Sequence, residues 1–312
     1  MKPLVSVIMP AYNGEKYIEE AINSVLGQTY ERFELIIIED ASTDRTLDII
    51  NRFTDNRIVL LKNKENRGIA FSTNFGIDKS NGKYIALLDD DDIATQERLE
   101  LQVEFMEAHE EIDILGGRSA FIDENSNFIG YAQEPLRNPR YIKANLLFRN
   151  KKFANGTAMI RKEFIDKYCL RYQDNCLGMQ DYKFYIDSSK VGNMTSIDRL
   201  LHLKRRHDER ETVRQSKAHG QERAILYAQF QRESIEKSGF QLCEEHLKAI
   251  NEIVPERAKT HYKKEDVKRL YDAFAEIIKQ ARDMQIDYLP ELEHACKKIL
   301  GDRILTRTDI FE

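Results

Sequence analysis

Short apolar runs alternate with segments of helical period through the first third of the chain, and this alternation most limits what the chain can fold into. Leu4-Val5-Ser6-Val7-Ile8-Met9 is rich in β-branched residues, stops at Pro10, and reads as a strand. Ile18, Ala21, Ile22, Val25 and Leu26 then share one helical face, with Gly27 as the stop. Phe33-Glu34-Leu35-Ile36-Ile37-Ile38 is apolar at almost every position, as a strand covered on both faces should be. Ser42, Thr43 and Asp44 offer capping side chains to a helix carrying Leu47, Ile50 and Phe53. Residues 58–61 and 84–88 read as further strands, and residues 69–77 and 95–109 as helices. The expected fold class is α/β, a mostly parallel central sheet with helices on both faces.

In such sheets ligands bind beyond the carboxyl ends of the strands. Three polar segments occupy those places: Pro10-Ala11-Tyr12-Asn13-Gly14, Glu39-Asp40-Ala41-Ser42 and Asp89-Asp90-Asp91-Asp92. Adjacent carboxylates repel one another, and a loop tip tolerates such a run only beside something cationic. Mg²⁺ and Mn²⁺ want oxygen ligands and keep waters or substrate phosphates in their remaining positions. A competing reading makes the acids an N-terminal cap for the helix at 95–109. One aspartate meets that need, and Asp92 is assigned to it alongside the metal role of its neighbours. Glu39 and Asp40 can accept from a ribose or a base N–H. A dinucleotide site would need a glycine-rich turn after the first strand, which Pro10 to Gly14 does not supply.

The formal net charge of -5 argues against a nucleic-acid partner. The 4 cysteines form no CxxC pair, so neither zinc nor a disulfide framework is expected. No apolar stretch approaches the roughly 18 residues of a membrane span. The expectation is a soluble, cytoplasmic protein, with peripheral contact at the inner face of a membrane left open. From about Gln215 onward the pattern turns to charged, amphipathic helices, which places a boundary near residues 210–220. The helical region, 215–312, is expected to pack on the preceding 1–214 or on another subunit, which would make a homo-oligomer. Lys263, Lys264, Lys268 and Arg269 are interleaved with Glu265 and Asp266, a poor lipid-facing surface.

Taken in order, five segments resemble the motifs of glycosyltransferase family 2. They are Val5 to Gly14, Ser24-Val25-Leu26-Gly27-Gln28-Thr29-Tyr30, Ile38-Glu39-Asp40-Ala41-Ser42-Thr43-Asp44, Asn66-Arg67-Gly68 with Asn74, and Leu88 to Asp92. With weaker later motifs the resemblance covers roughly the first two-thirds of the chain. It implies a GT-A fold, with a Rossmann-like nucleotide-binding half at about 1–110 and an acceptor half at 111–214 on one sheet. It implies that Pro10, Ala11 and Tyr12 line the nucleoside pocket, with Tyr12 stacking on the base. Glu39, Asp40, Asn66 and Asp90 would also bind the nucleotide, Asp40 bonding to a base that is typically uracil. Asp90 and Asp91 would form the D-x-D-type pair, Asp91 being the direct metal ligand, with Asp89 and His207 as further candidates. Ala41 stands where the family usually has glycine.

In Gly178-Met179-Gln180-Asp181-Tyr182-Lys183-Phe184-Tyr185, Asp181 matches the family's general base, and Gln180 replaces the usual neighbouring acid. Helix capping is the competing role for Asp181. Asn155, Gly156 and Thr157 resemble the segment that opens the acceptor half and borders the sugar or acceptor. Leu200 to His207 matches a strand ending in a basic residue and histidine, so that His207 or Arg206 would reach the diphosphate. Arg205, Arg206 and His202 otherwise read as a solvated basic turn.

The implied activity is inverting transfer of a hexosyl or N-acetylhexosaminyl group. The donor would be a nucleotide-diphosphate sugar, UDP-sugars first, and the acceptor a hydroxyl of a glycan or lipid-linked molecule in surface polysaccharide synthesis. Mn²⁺ or Mg²⁺ would be the cofactor. Two other classes compete. A metal-dependent phosphatase or nucleotidyltransferase would use the acidic cluster but leaves the Pro-Ala-Tyr-Asn and Glu-Asp-Ala-Ser segments unexplained. A non-catalytic nucleotide-sugar-binding protein would not need Asp40, Asp91 and Asp181 together.

Overall fold

The computed structural model describes residues 2–132, 134–149, 153–208, 210–254 and 262–304. Strands β1 (Val5–Ala11), β2 (Phe33–Glu39), β3 (Ile58–Lys62) and β4 (Tyr84–Leu87) pair in parallel in the order β3-β2-β1-β4. Helices α1 (Ile18–Leu26), α2 (Thr46–Ile50) and α3 (Ile69–Lys79) make the crossovers. The two faces of each strand feed different cores. Val5, Val7 and Met9 pack with Ile18, Ile22 and Val25 of α1 on one side, while Ile8 packs with Ile77 of α3 on the other. Gly76 lets α3 lie close, since a Cβ there would stand 2.6 Å from the Ile8 side chain. α2 is one short turn, and Phe53 lies just beyond it, packed on the same core as α1.

After β4 come β5 (Ile93–Ala94), α4 (Arg98–Ala108), β6 (Ile114–Ile122), β7 (Phe128–Tyr131) and α5 (Pro139–Leu146). A short turn at Asn155–Thr157 then leads to β8 (Met159–Arg161), α6 (Lys162–Lys167), α7 (Gln180–Val191) and β9 (Met194–Arg205). The sheet continues β4-β8-β6-β9-β5, with β7 beside β6. β8 runs antiparallel to both β4 and β6, and β6 pairs with β9 in parallel, so the sheet is mixed beyond its Rossmann-like half. The helix expected from residue 95 begins at Arg98, because Ile93 and Ala94 pair with Leu203 and His202 as β5.

Five helices follow: α8 (Glu211–Ala218), α9 (Gly220–Lys237), α10 (Glu244–Ile253), α11 (Lys264–Asp283) and α12 (Leu289–Ile304). α9 to α12 build a third core from Ile235, Ile250, Phe274 and Ile299, and α5 enters it with Ala144, followed by Leu147 and Phe148. α9 also sends Phe230 into the core that holds Tyr182 of α7. The helical region is thus keyed into the sheet region by α5 and α9. Residues 305–312 of that region lie outside the described residues.

Candidate active site

The ends of β1, β2 and β4 open onto one cleft of about 690 Å³. Pro10, Ala11, Tyr12, Asp40, Asn66, Asp89, Asp90, Asp91, Asn155, Asp181 and His207 all line it. Glu39, Gly156 and Thr157 do not. Glu39 is buried and its Oε1 accepts from the Ser42 amide at 2.6 Å. Thr157 is buried, donating to the Ala154 carbonyl and accepting from the Gly117 amide. Gly156 is small because a Cβ would fall 2.5 Å from Nε2 of His202.

The aspartate run divides by partner. Asp90 turns toward β1: Oδ2 accepts from the Tyr12 amide at 3.1 Å, and a Cβ on Gly14 would stand 2.5 Å from it. Asp89, Asp91 and Asp92 converge instead, each offering an oxygen within 4.8 Å of the others. Asp89 thus joins Asp91 as a candidate metal-holding acid, while Asp90 lies beside Tyr12. Asp92 caps no helix. It is buried, with Oδ2 at 2.7 Å from His202 Nε2 and Oδ1 accepting from the Arg205 amide at 2.8 Å. Nδ1 of His202 meets Ser119 Oγ at 3.1 Å. Burial pushes the Asp92 carboxyl up, but His202 and its hydrogen bond outweigh that and hold it below the usual range.

Arg205 and His202 are fully buried, so they form no solvated turn. Arg205 donates to the Asp91 carbonyl at 2.9 Å, to Ser126 Oγ at 2.9 Å and to Glu20 Oε2 at 2.6 Å, and its guanidinium lies 4.5 Å from the Tyr17 ring. β9 thus clamps the acidic loop from behind. Arg206 is exposed and stacks on the Phe121 ring at 3.8 Å, outside the cleft. His207 Nε2 stands 2.8 Å from Asp91 Oδ2 with its ring against Tyr17, and among the described residues its buried Nδ1 has no hydrogen-bond partner.

The floor carries more negative charge than the protein neutralises. Burial, followed by the charges of Asp92, Asp91 and Asp181, pushes the Asp89 carboxyl up to about 7, with Lys204 opposing. Asp90 is also held well above the usual range, by burial and then by Asp91. Burial would lower Lys204, but Asp92, Asp89, Asp91 and Asp181 together hold it above the ordinary lysine value. Oxygen donors crowded this closely suit a hard dication, which would restore ionisation of Asp89.

Asp40 is differently placed. It is buried; Oδ1 accepts from Asn63 Nδ2 at 2.7 Å and the Arg67 amide at 2.9 Å, and Oδ2 from the Gly68 amide at 2.8 Å. It fastens the loop that starts α3 while lining the cleft, and Oδ2 accepts only from the Gly68 amide, which leaves it an acceptor site. Ala41 has φ +57°, the left-handed region that favours glycine. Asp44 caps α2 by accepting from the Thr46 amide at 2.9 Å. Asp181, in the first turn of α7, accepts from the Tyr182 amide at 2.7 Å, and burial raises its carboxyl.

Several lining residues were not singled out from sequence: Lys204 at the floor, and Arg210, Arg214 and Gln215 from α8 and its approach. A signal for Lys204 existed, because strand alternation puts it on the same side of β9 as His202. The α8 side chains carried none, since only the tertiary fold returns that helix to the cleft.

A family model described as "Glycosyl transferase family 2" matches residues 6–169. An uncharacterized glycosyltransferase of Methanocaldococcus jannaschii is 37% identical over 189 residues, 59% of this chain and 64% of that protein. The chain therefore spans less than two-thirds of that relative's length. A relative from Escherichia coli, named as a UDP-Glc:alpha-D-GlcNAc-diphosphoundecaprenol beta-1,3-glucosyltransferase, is 32% identical over 195 residues, 62% of this chain and 73% of that protein. Among solved structures, S. aureus TarS 1-349 in complex with UDP-GlcNAc matches with TM-score 0.64 at 17% identity, covering 99% of this chain and 93% of that chain. At that identity the likeness is one of fold. Among the described residues no helix is long and apolar enough to cross a membrane.

Proposed function

The chain belongs to glycosyl transferase family 2, and from that premise we propose that it moves a sugar from a nucleotide-diphosphate sugar to an acceptor hydroxyl with inversion. The observation that carries this reading is the shared cleft: Asp40, Asp91 and Asp181, from β2, the loop after β4, and α7, line one cavity. UDP-sugars come first as donors and a lipid-linked glycan as acceptor, by analogy with the E. coli relative's name. Residues 1–214 are assigned as the catalytic unit and 215–312 as its helical support.

Asp181 takes the proton of the acceptor hydroxyl, and burial, which raises its carboxyl, makes it a stronger proton acceptor. The acceptor oxygen bonds to the anomeric carbon as the bond from that carbon to the diphosphate oxygen breaks. The departing nucleoside diphosphate leaves with that electron pair. Asp89 and Asp91 would hold Mn²⁺ or Mg²⁺, which supplies charge neutralisation at the diphosphate. Lys204 adds fixed positive charge on the same floor, and His207 keeps Asp91 in place. Pro10, Ala11 and Tyr12, at the end of β1, and Asn66, on the loop that Asp40 fastens, frame the nucleoside.

A thermal-shift comparison of wild type and Asp91→Ala tests the reading with UDP, UDP-sugars, GDP and dTDP, each with and without Mn²⁺. A ligand at a hundred times its Kd stabilises by about 2.7 kcal/mol. Mn²⁺ with UDP should raise the wild-type Tm and do little for Asp91→Ala. Equal shifts in the two proteins would falsify the site, and rapid phosphate release from simple esters would point to a phosphatase.

A further inference from the structure

α3 borders the cleft at its start and grips the loop before α7 along its flank. Gly68 and Ile69, where it begins, line the cleft beside Asn66, and Asp40 holds the Gly68 amide. Farther along, Asn74 takes both backbone groups of Tyr172: Oδ1 accepts from its amide at 3.0 Å and Nδ2 donates to its carbonyl at 2.7 Å. One turn on, Asp78 pairs with Arg171 at 2.9 Å. Asn74 itself does not line the cleft.

Residues 168–179, between α6 and α7, form neither helix nor strand. Four of them, Cys169, Asn175, Leu177 and Gly178, have φ of 50°, 59°, 49° and 76°. Side chains other than glycine rarely adopt that conformation, so contacts set the path of this loop against local preference. An asparagine amide offers a donor and an acceptor together and stands in for the strand neighbour that Tyr172 lacks. The buried Tyr172 ring stacks on Phe184 with centroids 4.2 Å apart and planes 2° from parallel. Phe184 is buried on α7, one turn beyond Asp181, and Asp181 lines the cleft with Gly178 and Gln180. Direct contacts therefore run from one edge of the cleft, through α3, Asn74 and Tyr172, to the helix that carries Asp181.

We infer that Asn74 is a positioning residue for Asp181: its clamp on Tyr172, passed on by the stacked Phe184 ring, sets the first turn of α7 against the nucleotide edge of the cleft. The inference rests on the transferase reading, in which Asp181 accepts the proton, and deepens it.

Two measurements on the full chain with Mn²⁺ separate position from stability. One is calorimetric titration with UDP. The other is UDP release from UDP-glucose, UDP-galactose and UDP-N-acetylglucosamine with water as the acceptor. Asn74→Ala should slow hydrolysis of the sugar that wild type turns over by about tenfold to a hundredfold, the cost of a shift of about 1 Å at a reacting group. UDP affinity should stay within about twofold, because Asn74 does not line the cleft. Asn74→Asp keeps the acceptor and gives up the donor; it should lose about threefold, and it carries the test if Asn74→Ala does not fold. Phe184→Leu breaks the stack, and joined to Asn74→Ala it should lose little more than the larger single loss, since both act along one path. Where wild type hydrolyses none of the sugars, hydrogen exchange decides: amides of residues 173–184 should exchange about tenfold faster in Asn74→Ala, with residues 58–68 unchanged. A purely structural role would lower Tm and leave turnover per folded molecule as it was. Unchanged turnover in folded Asn74→Ala, additive losses in the double variant, or unaltered exchange over residues 173–184 overturns the inference. Wild type that binds no UDP, or Asp181→Asn with wild-type hydrolysis, overturns the transferase reading, and the inference with it.

Discussion

At the end of β2, Asp40 spends its oxygens on Asn63 and on the amides of Arg67 and Gly68. At the end of β4, Asp89 and Asp91 meet each other and Asp92 instead. Both strands stop in acids at the rim of one cleft, and from sequence alone both look like ligand-binding groups. The difference lies in who donates. Loop amides folded back from the start of α3 satisfy the β2 acid, so it shapes the site. Among the described residues no comparable set of donors reaches Asp89, and burial, followed by the charge of Asp92, raises its carboxyl to about 7. The first acid is held by loop donors, and the second is left among other acids.

Exchange at the two ends should therefore have opposite signatures. Asp89→Asn should have the largest effect on turnover, a loss of roughly a hundredfold to a thousandfold, typical of removing a charge-stabilising group. In chelator, the same variant should be less pH-sensitive in stability than wild type. Asp89 has a folded-state value above its unfolded one. Its stabilising contribution is thus complete below the ordinary carboxylate range and is lost as pH rises toward about 7. Denaturant melts of metal-free protein between pH 4 and pH 8 check this, and a wild-type curve as flat as that of Asp89→Asn would contradict it.

Asp40→Asn should act on the fold first. Its new NH₂ group must face either the Arg67 amide, which loses that acceptor, or the Gly68 amide, which keeps only Asn66 Oδ1, costing about 1–3 kcal/mol. Chemical denaturation measures this, and an unchanged midpoint with lost UDP binding would instead make Asp40 a ligand contact. The smallest expected effect is at the neighbouring position. Ala41 at φ +57° is strained, so Ala41→Gly should stabilise by about 0.5–1 kcal/mol after the added chain entropy is counted. Destabilisation there would mean that the Ala41 methyl packs usefully.

Legibility followed the range of the interaction. The β1 to β4 pattern was readable because period and composition are local, and Gly27 and Asp44 announced a helix end and a cap at their own positions. The acidic loop was readable as a site because four adjacent carboxylates have few other reasons to be there. Asp92 was misassigned to a helix cap, since its partners, His202 and Arg205, lie more than a hundred positions away. The same distance hid the burial of those two residues, which look like solvated cations in a basic stretch.

The sequence by itself determined the alternating elements, the strand ends that carry polar chemistry and the family to which the chain belongs. Each of these is written in neighbouring residues and needs no knowledge of what touches what. Only the tertiary structure decided which acids face one another, that Asp40 is a brace, that α5 joins the third core with α10 to α12, and that α8 returns to the cleft. Those outcomes depend on donors and charges brought together from distant segments, and burial makes each pairing worth far more than its exposed counterpart would be.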